Sequence, residues 1–156
     1  MNSVPSIQPI VVGYDNTDAA KSALTWAADH ATLTGAELIV AYVSSSTAEW
    51  ELAAVMINPD PIRHQVEELL NTTWTEPLRD RDTKYRTVTA VGRPAMELMR
   101  IARAESASLI VIGMTGRGTL AELITGSTQH LLQQHAARPV VAVPEVWLDD
   151  REDRTA

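Results

Sequence analysis

The chain has 156 residues, 45% apolar and 21% charged, with a formal net charge of −7 and no cysteine. Those values describe one folded domain with material for a core, and the acidic balance argues against a surface that tracks a nucleic-acid backbone. Without cysteine, disulfides, thiolate catalysis and cysteine-held zinc are excluded.

No apolar run reaches the roughly 20 residues that cross a bilayer. The opening Met1-Asn2-Ser3-Val4-Pro5-Ser6 lacks the basic start and apolar stretch of a secretory signal. The expectation is a soluble, cytoplasmic protein with no nucleic-acid or membrane partner.

The elements follow in order. Ile7 to Val12 is an apolar run ending at Gly13, followed by the turn-prone Tyr14-Asp15-Asn16-Thr17-Asp18. From Ala19 to Leu33, Ala20, Ala23, Leu24, Ala27, Ala28 and Ala31 recur at helical spacing, and Gly35 supplies the usual stop. Glu37 to Val43 reads as a strand, which completes a βαβ unit and implies a parallel sheet.

Residues 44–61 form a long connection of the kind that is a lid, a binding loop or a disordered segment, and Trp50, Leu52, Val55, Met56 and Ile57 argue against full disorder. Ile62, Val66, Leu69, Leu70 and Trp74 mark a second helix, expected to stop or kink near Pro77. Tyr85 to Val91 alternates as a strand and ends at Gly92. A third helix starts at Pro94 with Ala95, Leu98, Met99 and Ala102 on one face. Leu109 to Ile112 is a fourth strand, Thr128 to Ala136 a fourth helix, and Pro139 to Pro144 a fifth strand. The organisation is one domain over residues 1–148 and an acidic tail over 149–156.

Near-continuous apolar strands alternating with helices predict an α/β fold, a doubly wound open parallel sheet of five strands with helices on both faces. Ligands bind such sheets beyond the carboxyl ends of the strands, where strand order reverses. Six of the seven glycines (Gly13, Gly92, Gly113, Gly116, Gly118 and Gly126) fall on that predicted edge. A helix opening at Gly126-Ser127 turns free N–H groups and a positive dipole end outward, which suits phosphate. A plain glycine-punctuated surface loop is the competing reading of the same stretch. The loop is not a P-loop: the only lysines are Lys21 and Lys84, and neither lies in it.

Gly113-x2-Gly116-x9-Gly126-Ser127 resembles the ATP-binding signature of the universal stress protein family. Ile10-Val11-Val12-Gly13-Tyr14-Asp15, Val91-Gly92-Arg93-Pro94-Ala95 and Arg138-Pro139-Val140-Val141-Ala142-Val143-Pro144 are similar to its first strand, third-strand turn and last strand. The resemblance implies strand order 3-2-1-4-5 and ATP, with Mg²⁺ on its phosphates, across the ends of strands one and four.

By that resemblance Gly13 and Asp15 lie beside adenine and ribose. Val43 or Tyr42 lines the adenine, and Val91 and Gly92 close the purine side. Gly113 and Gly116 let backbone pass close to ribose and phosphate, and Gly126, Ser127 and Thr128 cradle phosphates. It also implies a homodimer through the last strand, where Val140, Val141 and Val143 make an apolar edge. Asn16-Thr17 replaces the Gly-Ser that commonly follows the first aspartate.

Other polar residues offer less. His130 and His135 are five apart on a helix and do not form a metal pair. Arg117 is either a phosphate contact or a solvated cation, Glu122 reads as an exposed carboxylate, and the four tryptophans read as packing residues. The leading expectation is a nucleotide-dependent stress or regulatory protein. The alternatives are a slow Mg²⁺-dependent ATP hydrolase and a cyclic-AMP binder of the same family.

Overall fold

The computed structural model describes residues 6–44, 60–114, 128–147, 150, 153 and 154. Its strands are β1 (Ile10–Gly13), β2 (Leu38–Ser44), β3 (Tyr85–Val91), β4 (Leu109–Met114) and β5 (Val140–Pro144). The helices that alternate with them are α1 (Asp18–Thr34), α2 (Asp60–Asn71), α3 (Pro94–Ala104) and α4 (Thr128–His135), and a single 3-10 turn covers Glu76–Leu78. All strand pairs are parallel, in the order β3-β2-β1-β4-β5. The α/β class, the five-stranded sheet and its order are as expected. The loop over 45–59, the glycine-rich stretch 115–127 and most of the acidic tail lie outside the described residues.

The core has two layers, one on each face of the sheet. Val12, Val40 and Val111 point to the side covered by α1, with Leu70 of α2 and Leu78. Val11, Ile39 and Ile110 point to the side covered by Leu98 and Ile101 of α3 and Leu132 of α4. The alternation follows from the period of two along each strand. Each run reads as solidly apolar because both of its faces are buried.

Helix α1 begins where Thr17, in extended backbone, accepts the Ala20 N–H on its hydroxyl at 3.2 Å. It ends at Gly35, whose φ of 72° is the left-handed conformation glycine adopts freely. Its buried face consists mostly of alanines, Ala19, Ala20, Ala23, Ala27, Ala28 and Ala31, so its backbone approaches the sheet closely.

Helix α2 differs from expectation. It stops at Asn71, and Trp74 lies in the turn beyond it. Carbonyls of its last turns are satisfied from beyond the stop: Thr72 donates its hydroxyl to the Glu68 carbonyl, Thr75 to that of Leu70, and the Trp74 N–H to that of Leu69. Strand β4 also runs further than its apolar run suggests. Gly113 lies inside it, opposite Val143.

Close packing accounts for that glycine. A Cβ on Gly113 would lie 2.3 Å from the Ala19 carbonyl carbon and 2.7 Å from the Ala20 nitrogen, both main-chain atoms of α1. A Cβ on Gly13 would meet the flexible end of Leu98, 3.0 Å away. Gly113→Ala is therefore expected to cost ~3 kcal/mol and Gly13→Ala only about 1 kcal/mol. Urea unfolding of both variants checks the ranking.

Candidate functional site

Strand order reverses between β1 and β4: the chain winds outward from β1 through β2 to β3, then returns to the other side of β1 for β4 and β5. The two chain exits there diverge and leave a crevice at the carboxyl edge. Gly13 and Asp15 stand at one exit and Gly113 at the other.

After β1 the chain makes a tight turn. Asp15 Oδ1 accepts the Thr17 N–H at 3.1 Å and the Thr17 hydroxyl at 2.6 Å. Asn16, between them, has a φ of 63°. Asparagine is among the few residues other than glycine that take this left-handed conformation readily. Asn16-Thr17 thus reproduces what Gly-Ser would provide, a left-handed residue followed by a hydroxyl cap. Asp15 is exposed, and its Oδ2 makes no bond among the described residues.

A second feature comes from unequal strand lengths. The β1–β2 register ends at Gly13 opposite Ala41, with a last bond from the Tyr14 N–H to the Ala41 carbonyl at 2.9 Å. Strand β2 continues through Tyr42, Val43 and Ser44, paired with β3 on its other side as far as the bond from the Gly92 N–H to the Ser44 carbonyl. Backbone groups alternate sides along a strand, so those of Ala41 and Val43 face β1 and that of Ser44 faces β3. At Val43 β1 has already turned away, and among the described residues its N–H and C=O have no main-chain partner on that side. A donor and an acceptor therefore project side by side into a notch next to Asp15. Apolar spacing in the sequence carries no signal for this pair, which depends on where the neighbouring strand ends.

The side chains below the notch are firmly held. Tyr42 and Tyr14 both pack on Trp74, with ring centroids 5.6 Å apart in each pair. Burial first and the Asp15 carboxylate second push the Tyr14 hydroxyl above its ordinary pKa, so it stays neutral at physiological pH. The Val43 side chain packs on the opposite face, against the layer under α3. Gly92 has a φ of 148°, which requires glycine, and Val91 is exposed at the β3 end.

On the β4 side, Thr128 opens α4, and the Gln129 amide reaches the Met114 sulfur at 3.6 Å. Of the expected site residues, Gly13, Asp15, Val43, Gly113 and Thr128 stand at the carboxyl ends of strands or at a helix start beside them. Gly116, Gly126 and Ser127, with Arg117 and Glu122, lie outside the described residues. No group of three acidic or histidine residues able to hold a metal occurs among the described residues. No helix among them is long and apolar enough to cross a membrane. An open groove of about 600 Å³ lies at the opposite edge, lined by Ile7, Ile10, His30 and Leu109 among others, and contains none of these site residues.

The fold defines a doubly wound α/β protein with its switch point between β1 and β4. The chain matches the universal stress protein family over residues 6–144, and it belongs to that family. It is 27% identical over 146 residues to the universal stress protein YxiE of Bacillus subtilis, covering 86% of this chain and 97% of that one. Rv2005c of Mycobacterium tuberculosis is 29% identical over 140 residues, 88% of this chain; the chain spans only 45% of that longer relative.

Among solved structures, a universal stress protein in complex with cAMP superposes with a TM-score of 0.66 at 24% identity, covering 89% of this chain and 98% of that one. The universal stress protein of Archaeoglobus fulgidus in complex with dAMP gives 0.64 at 22%, covering 87% and 97%. At these identities the two structures show a shared fold.

The Asp15 turn yields a direct test. Asn16→Gly is expected to leave stability within about 0.5 kcal/mol, because glycine adopts the same φ. Asn16→Val, β-branched and forced left-handed, is expected to cost about 1–3 kcal/mol. Thermal unfolding of the two variants provides the comparison.

Proposed function

We propose that the protein is a cytoplasmic adenine-nucleotide-binding regulator that takes ATP at the β1/β4 crevice. The observation that carries the reading is the N–H and C=O of Val43 beside Asp15, which have no main-chain partner on the β1 side among the described residues. Adenine presents an acceptor and a donor side by side on its Watson–Crick edge, and that pair complements one strand residue. The Asp15 carboxylate, with one oxygen unengaged, suits a ribose hydroxyl. Support for phosphate comes from the sequence of Gly126, Ser127 and Thr128 ahead of α4, whose N-terminal N–H groups favour anions. Gly116, a residue type without a Cβ, would allow close approach of the backbone to a ligand. Mg²⁺ would arrive with the phosphates and keep most of its waters.

Cyclic AMP is the second reading, supported by the family member solved with it. The two ligands differ in charge and reach. A triphosphate gains from donors at the start of α4, each worth roughly 0.3–1 kcal/mol from the helix dipole, whereas a cyclic phosphate stays near the ribose.

Titration calorimetry tests the assignment. ATP is expected to bind more tightly than AMP, to respond to Mg²⁺, and to lose at least tenfold in affinity in Val43→Pro, which deletes the N–H in the notch but no ladder bond. Unchanged ATP affinity in a folded Val43→Pro protein overturns the adenine site. Displacement of ATP by equal or lower cyclic AMP replaces ATP with cyclic AMP as the ligand. A turnover assay on the same preparation separates a binding protein from a slow hydrolase.

A homodimer through β5 belongs to the same proposal. The bonds from the Ile110 N–H to the Pro139 carbonyl and from the Glu145 N–H to the Met114 carbonyl place residues 139, 141, 143 and 145 toward β4. Backbone groups of Val140 and Ala142 then face outward on an unprotected edge. The side chains of Val141 and Val143 pack inward under α1 and that of Val140 on the other layer, so the edge offers mainly main-chain bonds. Ala142→Pro removes an outward N–H and leaves the β4 ladder intact. Light scattering is expected to show a dimer for wild type and a shift toward monomer for this variant; a monomeric wild type at micromolar concentration refutes the proposal.

A further inference from the structure

The peptide of Glu145, the first residue past β5, is gripped on both sides. Its N–H donates to the Met114 carbonyl at 3.1 Å, and its carbonyl accepts the Ser22 hydroxyl at 2.8 Å. Ser22 lies on the buried face of α1 with no solvent exposure. Met114 is the last residue of β4, and its sulfur receives the Gln129 amide from the first turn of α4. Four elements therefore meet at two residues: α1 through Ser22, the exit of β5 through Glu145, the exit of β4 through Met114, and the start of α4 through Gln129. The first turn of α1 is in turn fastened to Asp15 through Thr17.

We infer that Ser22 is a positioning residue for the nucleotide site, setting through the Glu145 peptide the distance between the Asp15 turn and the β4–α4 side of the crevice. Without its hydroxyl the carbonyl of the exposed residue Glu145 loses the donor that fastens it to the buried face of α1, and the chain there is released to shift toward another partner such as water. The Glu145 N–H is part of the same residue, so such a shift is transmitted to Met114 and then to Gln129. The Val43 notch lies on the β2 side of β1 and is untouched by this linkage. The effect should fall on ligand groups that reach across to β4 and α4, and spare the base.

The inference rests on the nucleotide reading, and its test compares ATP with adenosine. Ser22→Ala is expected to weaken ATP about tenfold while adenosine affinity stays within twofold. Ser108→Ala serves as the control. It removes another hydroxyl-to-carbonyl bond, to Pro9 at 3.3 Å, at the opposite edge of the sheet. ATP binding by Ser108→Ala should match wild type. Wild-type protein that binds neither compound overturns the nucleotide reading and this inference together. If wild type binds ATP, three results overturn the positioning role alone: unchanged ATP affinity in Ser22→Ala, equal losses for ATP and adenosine, or the same ATP loss in Ser108→Ala.

Discussion

Of the described glycines, Gly113 is the one most tightly enclosed: the first turn of α1 lies against β4 there, with main-chain atoms of Ala19 and Ala20 where a side chain would otherwise stand. Much of the site geometry depends on it. A helix seated this low needs small residues along its buried face, which the alanines supply. Its N-terminus is thereby fixed over the β4 exit, so the chain leaving β1 has only Tyr14, Asp15 and Asn16 before the Thr17 cap. That short path gives the turn its left-handed residue and directs the Asp15 carboxylate along the sheet edge. On the other layer, Leu98 occupies the space beside Gly13. Two neighbouring strand exits are therefore covered on opposite faces by helices.

Much of this was legible in the sequence, and the remainder was not for identifiable reasons. Apolar runs and helical spacing located the five strands and the four helices between them, since strands buried on both faces and an alanine-rich helix have strong periodic signatures; the 3-10 turn at Glu76–Leu78 and the helical residues Asp150, Asp153 and Arg154 of the acidic tail lacked such a signal. Trp74 falls beyond the helix although apolar spacing continues past Asn71, because the bonds from Trp74 and Thr75 that close the last turn have no periodic signal. The glycines were read chiefly as sites of ligand approach. For Gly113 the structure supplies a packing reason, which sequence cannot separate from a ligand because both require a missing Cβ. The Asn16-Thr17 departure, which left the turn geometry open, is resolved by one φ angle.

The aromatic cluster shows how the edge is stiffened. Tyr14 precedes Asp15 and Tyr42 precedes Val43, and the period of two sends both rings to the same layer, where Trp74 contacts each. Holding residues 14 and 42 from below steadies the backbone of residues 15 and 43 at the edge. A donor and acceptor borne by main chain gain more from such bracing than flexible side chains would, because little rotamer entropy remains to be lost on binding.

A site composed this way places unusual demands on substitution. The Val43 pair is available whatever side chain stands there, provided β2 outruns β1 and the residue keeps its N–H. The determinants are strand lengths, a left-handed residue after Asp15, and the absence of a Cβ at residue 113. These are properties of backbone path, and many sequences satisfy them. Side-chain chemistry enters at Asp15 and at Thr17, which fastens that carboxylate to α1. Under the proposed function, specificity among nucleotides would come from the β4–α4 side, where ligands differ in phosphate number and reach. The Ser22–Glu145–Met114–Gln129 linkage converges on that side. It also ends at the exit of β5, whose outer edge carries main-chain groups with no strand partner among the described residues. Pairing along that edge and a ligand spanning the crevice would draw on the same few bonds, so each would favour the arrangement that suits the other, with equal coupling in both directions.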